Sequence, residues 1–532
     1  MEELCKPHGL LEDDGGIVRV PFLVKGRLVA PPALTKDQIK AACAHVDAAT
    51  NYVKLDQAQL LREPVIDRAS MQPTGESLVL VLPQINSLAL LERDVDALVR
   101  GPYALSVDDI LAYLQAIVDT LAAQSATVDR VRELCRRTAP YPDIFLDGAF
   151  AEFELGLDVP TARAMIDREL AAWQRPGSAF LDGWTELPGE VTPGIAPLAA
   201  LGLPGAPNLP QAAPVCIRAM PTRQLHITAG NAPGVPIVSA LRGLLTKSAV
   251  TVKSPSGAIL TGALFAVAAV AAAPDHPLTR HLSIVYWQGG DESVEAVLFL
   301  PNAYDRIVVW GAPEAVSSVQ SRALLTKIVS FNPRYSVSMI GREAFDGDLA
   351  QVAFQAAVDT MIYNQRACTA SLVHYVEGSV AQAEEYAAHL RAVLGQWDAM
   401  APQYVAPETV GALERLRRGR YVQAGWSLNR CDGRFSSGVV VMPDEFDVLD
   451  HPLCRLVVVR PVPDLDAALR YLHPGVSAVG VYPEERRLHL RDSIACRGVS
   501  SILPLGCCEQ VFAGIPHDGM LVLSQLVDWK CS

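Results

Sequence analysis

Between Arg223 and Thr326, short apolar runs alternate with longer segments whose apolar residues recur every three to four positions. "RQLHITAG", "SAVTVKS", "LSIVYWQG" and "DRIVVWG" read as strands, and "GVPIVSALRGLLTK", "GAILTGALFAVAAVAAA" and "APEAVSSVQSRALLT" as helices. Strands that are apolar throughout, each followed by a helix, predict βαβ units and a parallel sheet covered on both faces. The pattern returns past residue 335. There "YSVSMIG", "SLVHYVEG" and "CRLVVVRPV" read as strands, "LAQVAFQAAVDTMIYN" and "DLDAALRYL" as helices. The expected class is α/β, with two such units meeting near 332–336.

Upstream the pattern is mixed. "IVRVPFLVKGRLV" and "SLVLVLPQI" are strand-like and "LTKDQIKAACAHV" is helix-like. From Ser106 to Arg137 apolar residues keep a helical period behind a Ser cap and an acidic first turn, and residues 160–174 look similar. Leu187 to Pro214 is dense in Pro, Gly and Ala, which predicts a long connection into a new unit. The division expected is a mixed N-terminal region over 1–215, partly joined to the α/β unit of 216–334, then a second unit over 335–500 and a C-terminal segment over 501–532.

Composition narrows the class. A chain of 532 residues, 50% hydrophobic and 19% charged, is globular and too long for one core. The net charge of −13, with no Lys/Arg block, argues against nucleic acid and leaves room for a small anion at one local site. The longest apolar run, Ala258 to Ala273, falls short of the roughly 20 residues a bilayer needs, so it predicts a buried helix and no membrane span. The acidic, polar N-terminus lacks the apolar core of a signal peptide, and a cytoplasmic location is expected. Eleven cysteines are an odd count with no C-x-x-C, and H-E-x-x-H is absent. Reduced thiols and no structural metal are expected.

Candidate chemistry sits at strand ends, where an open parallel sheet binds ligands. "AGNAPG" follows the first strand of the 216–334 unit, with Gly230, Asn231, Pro233 and Gly234. "KSPSG" follows the next, with Lys253, Ser254, Pro255, Ser256 and Gly257 opening a long helix, and "GAPEA" carries Gly311 and Ala312 to another helix start. Helix starts with small residues and Pro expose backbone N–H groups to an anion, and two of them beside a lysine suit a dinucleotide. Each turn alone also reads as an ordinary βα connection, since G-x-G-x-x-G, a Walker motif and G-x-S-x-G are absent. "YNQRACTAS" places Cys368 after an Asn-Gln pair in a polar, small-residue stretch. On its own it is either a buried thiol or a nucleophile.

Asn231, Lys253, Gly311 and "NQRAC" in this order resemble the aldehyde dehydrogenase superfamily. The wording of "HITAGNAPG", "TVKSPSG", "NQRACTAS", "CRGVSSILPLG" and "IPHDG" is most similar to the LuxC-type fatty acyl-CoA reductases of bacterial bioluminescence. The likeness covers roughly 220–520. It implies an aldehyde dehydrogenase-like fold of two Rossmann-type domains, a nucleotide domain and a catalytic domain, with Cys368 as nucleophile and the Asn231 amide receiving the oxyanion. It implies a nicotinamide cofactor held by Gly230, Lys253, Ser254, Pro255, Ser256, Gly311 and Ala312. It also implies an acyl-CoA or acyl-protein donor, a partner acyl-protein synthetase, and assembly as a homo-oligomer.

Three departures from the superfamily bear on the chemistry. Its hydrolytic members carry a Glu general base upstream of the Cys; the corresponding "VSFNPRYS" (Val329 to Ser336) has no carboxylate, so an acyl-Cys should outlive attack by water. NAD-preferring relatives carry a Glu where this chain has Ser256, which admits NADPH and, beside Lys253, favours it. The Glu that holds the nicotinamide ribose has no clear counterpart in "DHPLCRLVV", where His451 or no residue stands in.

The expected reaction is NADPH-dependent reduction of a long-chain fatty acyl-CoA to the aldehyde through acyl-Cys368. Alternatives are a CoA-acylating aldehyde dehydrogenase working oxidatively, a Cys-dependent acyltransferase or thioesterase without nicotinamide, and a non-catalytic scaffold. His374 is a candidate base or a strand residue. His517 lines the site or has no role there. Arg334 meets a CoA phosphate or holds the domain boundary.

Overall fold

A computed structural model describes residues 10–188, 214–230, 232–510 and 512–532. Its centre is a seven-stranded sheet in the order Lys327–Phe331, Arg306–Trp310, Arg223–Ile227, Ala249–Lys253, Leu282–Val285, Phe22–Val24, Arg27–Val29. The first five strands run parallel and the last two form an antiparallel hairpin from the N-terminal region. Chain order reverses between Arg223–Ile227 and Arg306–Trp310, which makes a crevice at their carboxyl ends, where such sheets take ligands.

The alanine-rich run forms the helix Ile259–Ala272, buried along nearly its whole length. The period from Ser106 is interrupted: helices Val107–Ala123 and Ser125–Thr138 are separated at Gln124, which leaves helical geometry (φ −118°, ψ 32°). These helices, Ile259–Ala272 and the C-terminal Val522–Leu526 share one apolar core. The N-terminal region is therefore packed into the first unit, and it adds a four-stranded sheet ordered Ile17–Arg19, Gln72–Pro83, Ala58–Asp67, Tyr52–Lys54. Most of the Leu187 to Pro214 connection lies outside the described residues.

The second unit is another seven-stranded sheet, ordered Gly425–Cys431, Arg434–Val441, Leu456–Val462, Ser371–Glu377, Tyr335–Ile340, Val476–Tyr482, Ser501–Pro504. All pairings are parallel except the hairpin edge. Val439, Val441, Val457 and Val459 pack on one face with Tyr386 and Leu390, while Val440 and Val458 pack on the other with Leu490 and Ile494. Burial on both faces explains the unbroken apolar runs in the sequence. The C-terminal chain then returns to the first unit, where Asp528–Cys531 pairs antiparallel with Cys216–Met220. Among the described residues no helix is long and apolar enough to cross a membrane.

Candidate active site

Cys368 lies in the loop between helix Leu349–Met361 and strand Ser371–Glu377. The loop opens with Tyr363, Asn364 and Gln365 all at positive φ (44°, 54° and 68°), a conformation that bulky residues adopt only when their surroundings impose it. Those surroundings are identifiable. The Gln365 amide donates to the carbonyls of Leu456 (2.6 Å) and Ser371 (3.2 Å). The Asn364 side-chain Oδ1 accepts from Arg455 Nε (3.0 Å), whose guanidinium is fully buried and paired with Asp398 at 2.8 Å. Arg455 itself ends a second left-handed run, Leu453 to Arg455. On the other side Ile362, Tyr363 and Ala370 belong to the core of the first unit, and Ala367 packs against it. The loop therefore bridges the two units, and the Asn-Gln pair is its anchor.

The thiol is partly buried. Burial pushes its pKa up to about 11, the negative charges of Asp518 and Glu509 push in the same direction, and hydrogen bonds from Ser477 and from its own backbone N–H oppose them. Ser336 fixes the loop beneath it, donating to the Cys368 carbonyl (2.8 Å) and accepting from the N–H of Ala478 (3.0 Å). Thr369 donates its hydroxyl to Glu509.

Asp518 and Glu509 correct the expectation of a site without acids. The strand and connection Val329 to Ser336 do lack a carboxylate, but the C-terminal segment brings two to the thiol. His517, Asp518, Gly519 and Met520 form a tight turn closed by reciprocal 2.9 Å backbone bonds, with φ 51° at Asp518 and 77° at Gly519. Asp-Gly favours such a turn, and that pair was the one local signal available in the sequence. The Asp518 side chain is 5% exposed and lies 3.4 Å from Arg334 Nε. Arg334 also donates to Ser500 (2.8 Å) and to the Asp518 carbonyl (3.4 Å), so it ties the unit boundary to the C-terminal turn.

The same turn meets the first sheet. The His517 ring stands edge-on to Trp310 and Phe331, which stack 3.7 Å apart at the carboxyl ends of neighbouring strands. The Arg242 guanidinium lies over both rings and donates to His517 Nδ1 (3.2 Å). Burial and the two arginines, Arg242 and Arg334, push His517 down to about 3. His517 therefore joins the site, as a neutral ring. His374 does not. It is fully buried between Tyr386 (2.8 Å) and Thr360 (3.2 Å), and burial holds it near 3. His451 is likewise buried, accepts from the Leu453 N–H (3.0 Å) and is held near 4 by burial.

At the first sheet's carboxyl edge, Thr228 binds the Lys253 carbonyl through its N–H (3.2 Å) and hydroxyl (2.7 Å), locking two strand ends together. Gly230 faces Pro255, and a Cβ there would sit at ordinary van der Waals distance, 3.4 Å, from the proline ring. Ser254 Oγ is buried without a hydrogen-bond partner. Ser256 is exposed in the turn Ser256–Ala258 that precedes the long helix. Gly311 and the exposed Ala312 precede helix Pro313–Arg322 on the other side of the crevice. Lys253 Nζ lies over the rings of Tyr286 (5.6 Å) and Trp287 (5.5 Å). Burial lowers its pKa to about 8, against the pull of Glu295. Asn231, between Gly230 and Ala232, lies outside the described residues.

The family model described as "Acyl-CoA reductase (LuxC)" matches residues 212–529. The chain belongs to the LuxC family. Among similar proteins, the long-chain acyl-protein thioester reductase of Vibrio harveyi is 27% identical over 324 residues, 58% of this chain and 64% of its own length. That of Photorhabdus luminescens is 28% identical over 316 residues, 59% of this chain and 64% of its own length. The match thus spans less than two thirds of these relatives. The fold is that of the aldehyde dehydrogenases. An aldehyde dehydrogenase from Brucella melitensis biovar abortus 2308 superposes with TM-score 0.67 at 13% identity, over 98% of both chains. The NADP-dependent glyceraldehyde-3-phosphate dehydrogenase of Bacillus halodurans C-125, solved with NADP, gives 0.66 at 13% identity, over 96% of this chain and 98% of that one. In this LuxC-family chain, the expected α/β architecture and aldehyde dehydrogenase-like fold are therefore both present.

Proposed function

We propose that this chain reduces a long-chain fatty acyl thioester to the free aldehyde with NADPH, through a thioester on Cys368. The observation that carries the reading is the Cys368 loop. It is pinned by Asn364 and Gln365 to the second unit and packed through Ile362, Tyr363 and Ala370 into the core of the first. A nucleophile at that junction meets an acyl group from one side and a nucleotide from the other.

The residues at the first sheet's edge fit a nicotinamide nucleotide. Ser254 Oγ is a buried hydroxyl without a hydrogen-bond partner, Gly230 packs against the Pro255 ring, and no hydrogen bond holds Lys253 Nζ among the described residues. Lys253 would hold the adenosine ribose and its phosphate, with Ser256 offering no negative charge against it. Gly311 and Ala312 would face the nucleotide across the crevice. Bound there, NADPH supplies the hydride that reduces the Cys368 thioester. The thiol of Cys368 takes the acyl group from its donor, and the Asn231 amide with the Cys368 N–H receives the charge that develops on the carbonyl oxygen.

The donor carries a thioester, as coenzyme A or as an acylated protein; the relatives' names favour the protein-bound form. The two carboxylates beside the thiol favour one competing reading, a thioesterase that never uses nicotinamide. The deciding assay supplies NADPH or NADH with acyl-CoAs of increasing chain length and with acyl-protein, and detects aldehyde directly. NADPH consumption matched by aldehyde, lost in Cys368→Ala, is expected. Free fatty acid formed without NADPH consumption would sink the proposal in favour of the thioesterase.

A further inference from the structure

Ala367 to Ala370 form a tight turn closed by the Ala370 N–H on the Ala367 carbonyl (3.1 Å), with Cys368 and Thr369 at its centre. Two peptide planes meet at the Cys368 Cα. The closing bond holds the first, through the Ala367 carbonyl. The second is held by one side chain, Ser336, whose hydroxyl donates to the Cys368 carbonyl (2.8 Å). With both planes held, φ and ψ at Cys368 are set, and with them the directions of its Cα–Cβ bond and of its N–H. Among the described residues that N–H donates to no other residue.

The surroundings commit the Ser336 hydroxyl to this task. A serine hydroxyl has one proton, and Ser336 Oγ accepts from the buried Ala478 N–H (3.0 Å), so the proton goes to the Cys368 carbonyl. The Ser336 N–H binds the Ala370 carbonyl (3.1 Å) and grips the turn at a second point. Ser336 is fully buried where strand Tyr335–Ile340 slips register against both of its neighbours, Ser371–Glu377 and Val476–Tyr482. The slip leaves Ala478 without a paired residue in that strand, and the Ser336 side chain receives its N–H in place of a backbone carbonyl.

We propose that Ser336 is a positioning residue for acyl transfer, an assignment that rests on the acyl-transfer reading of Cys368. Its hydroxyl fixes the Cys368–Thr369 peptide so that the sulfur and the Cys368 N–H meet one carbonyl group together. The sulfur must reach the donor's carbonyl carbon while the N–H reaches its oxygen, and misplacement by about 1 Å costs such a step about 10²-fold. Alkylation by iodoacetamide has no such requirement. There the sulfur displaces iodide at a saturated carbon, no oxyanion forms, and the small reagent follows the thiol wherever it points.

Both reactions are read at Cys368 by peptide mass spectrometry on the full chain, with a long-chain acyl-CoA as donor. Ser336→Ala should slow acylation at saturating donor by about 10²-fold, with the half-saturating donor concentration and the alkylation rate within about threefold of wild type. Ser336→Thr keeps the hydroxyl and should bring acylation back to within about tenfold of wild type. Ser336→Cys keeps the shape but weakens the donor, and decides the matter if Ser336→Ala does not fold: its acylation should fall about tenfold or more at unchanged alkylation. Ser338→Ala removes an equally buried hydroxyl from the same strand, one that bonds Ser371 Oγ (2.9 Å), and should acylate at the wild-type rate. Equal losses of acylation and alkylation would mean that the hydroxyl governs access to the thiol, and would overturn the assignment. So would unchanged acylation in Ser336→Ala, or an equal loss in Ser338→Ala. A wild type that takes no acyl group on Cys368 overturns the assignment together with the reading beneath it. Selective loss of acylation in a protein that yields no aldehyde keeps Ser336 and refutes the reductase; unchanged acylation with normal aldehyde formation does the reverse.

Discussion

Lys253 illustrates how one buried charge can oppose stability. Its ammonium is taken from water, and burial lowers its pKa from 10.5 to about 8. That shift costs the folded state about 3 kcal/mol while the lysine is charged. Because the folded pKa lies below the unfolded one, the cost is full below pH 8 and fades as pH rises toward 10.5. Lys253→Met should therefore raise the ligand-free protein's stability near pH 7 by about 2–3 kcal/mol and flatten its rise above pH 8, as urea unfolding would measure. The same variant should weaken NADPH binding, and in the wild type that binding should weaken as pH passes 8. Equal stability in the two proteins would show that the charge is not desolvated.

At the scale of elements, the Cys368 loop depends on a buried ion pair that touches no substrate. Arg455 reaches Asn364 with one nitrogen and Asp398 with another, and both charged side chains are removed from water. Arg455→Met leaves Asp398 uncompensated, and a loss of about 3–5 kcal/mol is expected by chemical denaturation. Acylation of Cys368 should fall in the folded fraction as well, because Tyr363 to Gln365 lose the contact that holds them left-handed. The sequence made the strands on either side of this loop legible, since burial on both faces leaves continuous apolar runs such as "CRLVVVRPV". It made Lys253 and Gly311 legible as strand-end residues, and Cys368 legible through the Asn-Gln pair before it. It could not show that Asn364 is an anchor, because Arg455 and Asp398 are distant in sequence and their pairing is a tertiary fact. Asp518 was hidden for the same reason: Asp-Gly announces a turn, but not the thiol that the turn approaches. The interruption at Gln124 escaped because both flanking helices keep an apolar face toward one core.

Across the whole molecule, the C-terminal chain stitches the two units together. Ser501–Pro504 closes the second sheet, the His517 ring meets Trp310 and Phe331 of the first edge-on, and Asp528–Cys531 pairs with Cys216–Met220. The N-terminal region is equally committed, contributing a hairpin to the first sheet and helices to its core. Contacts supplied by both ends of the chain thus hold the first unit and tie it to the second. The central claim is that this junction passes an acyl group from a thioester donor to Cys368 and then to a nicotinamide. A single-turnover experiment tests it most directly: load the protein with a long-chain acyl thioester, locate the acyl mass by peptide mass spectrometry, then add NADPH and identify the product. The account predicts the acyl group on Cys368 and its release as aldehyde in equal amount with NADPH oxidised; an acyl group on another residue, or release as free fatty acid regardless of NADPH, would contradict it.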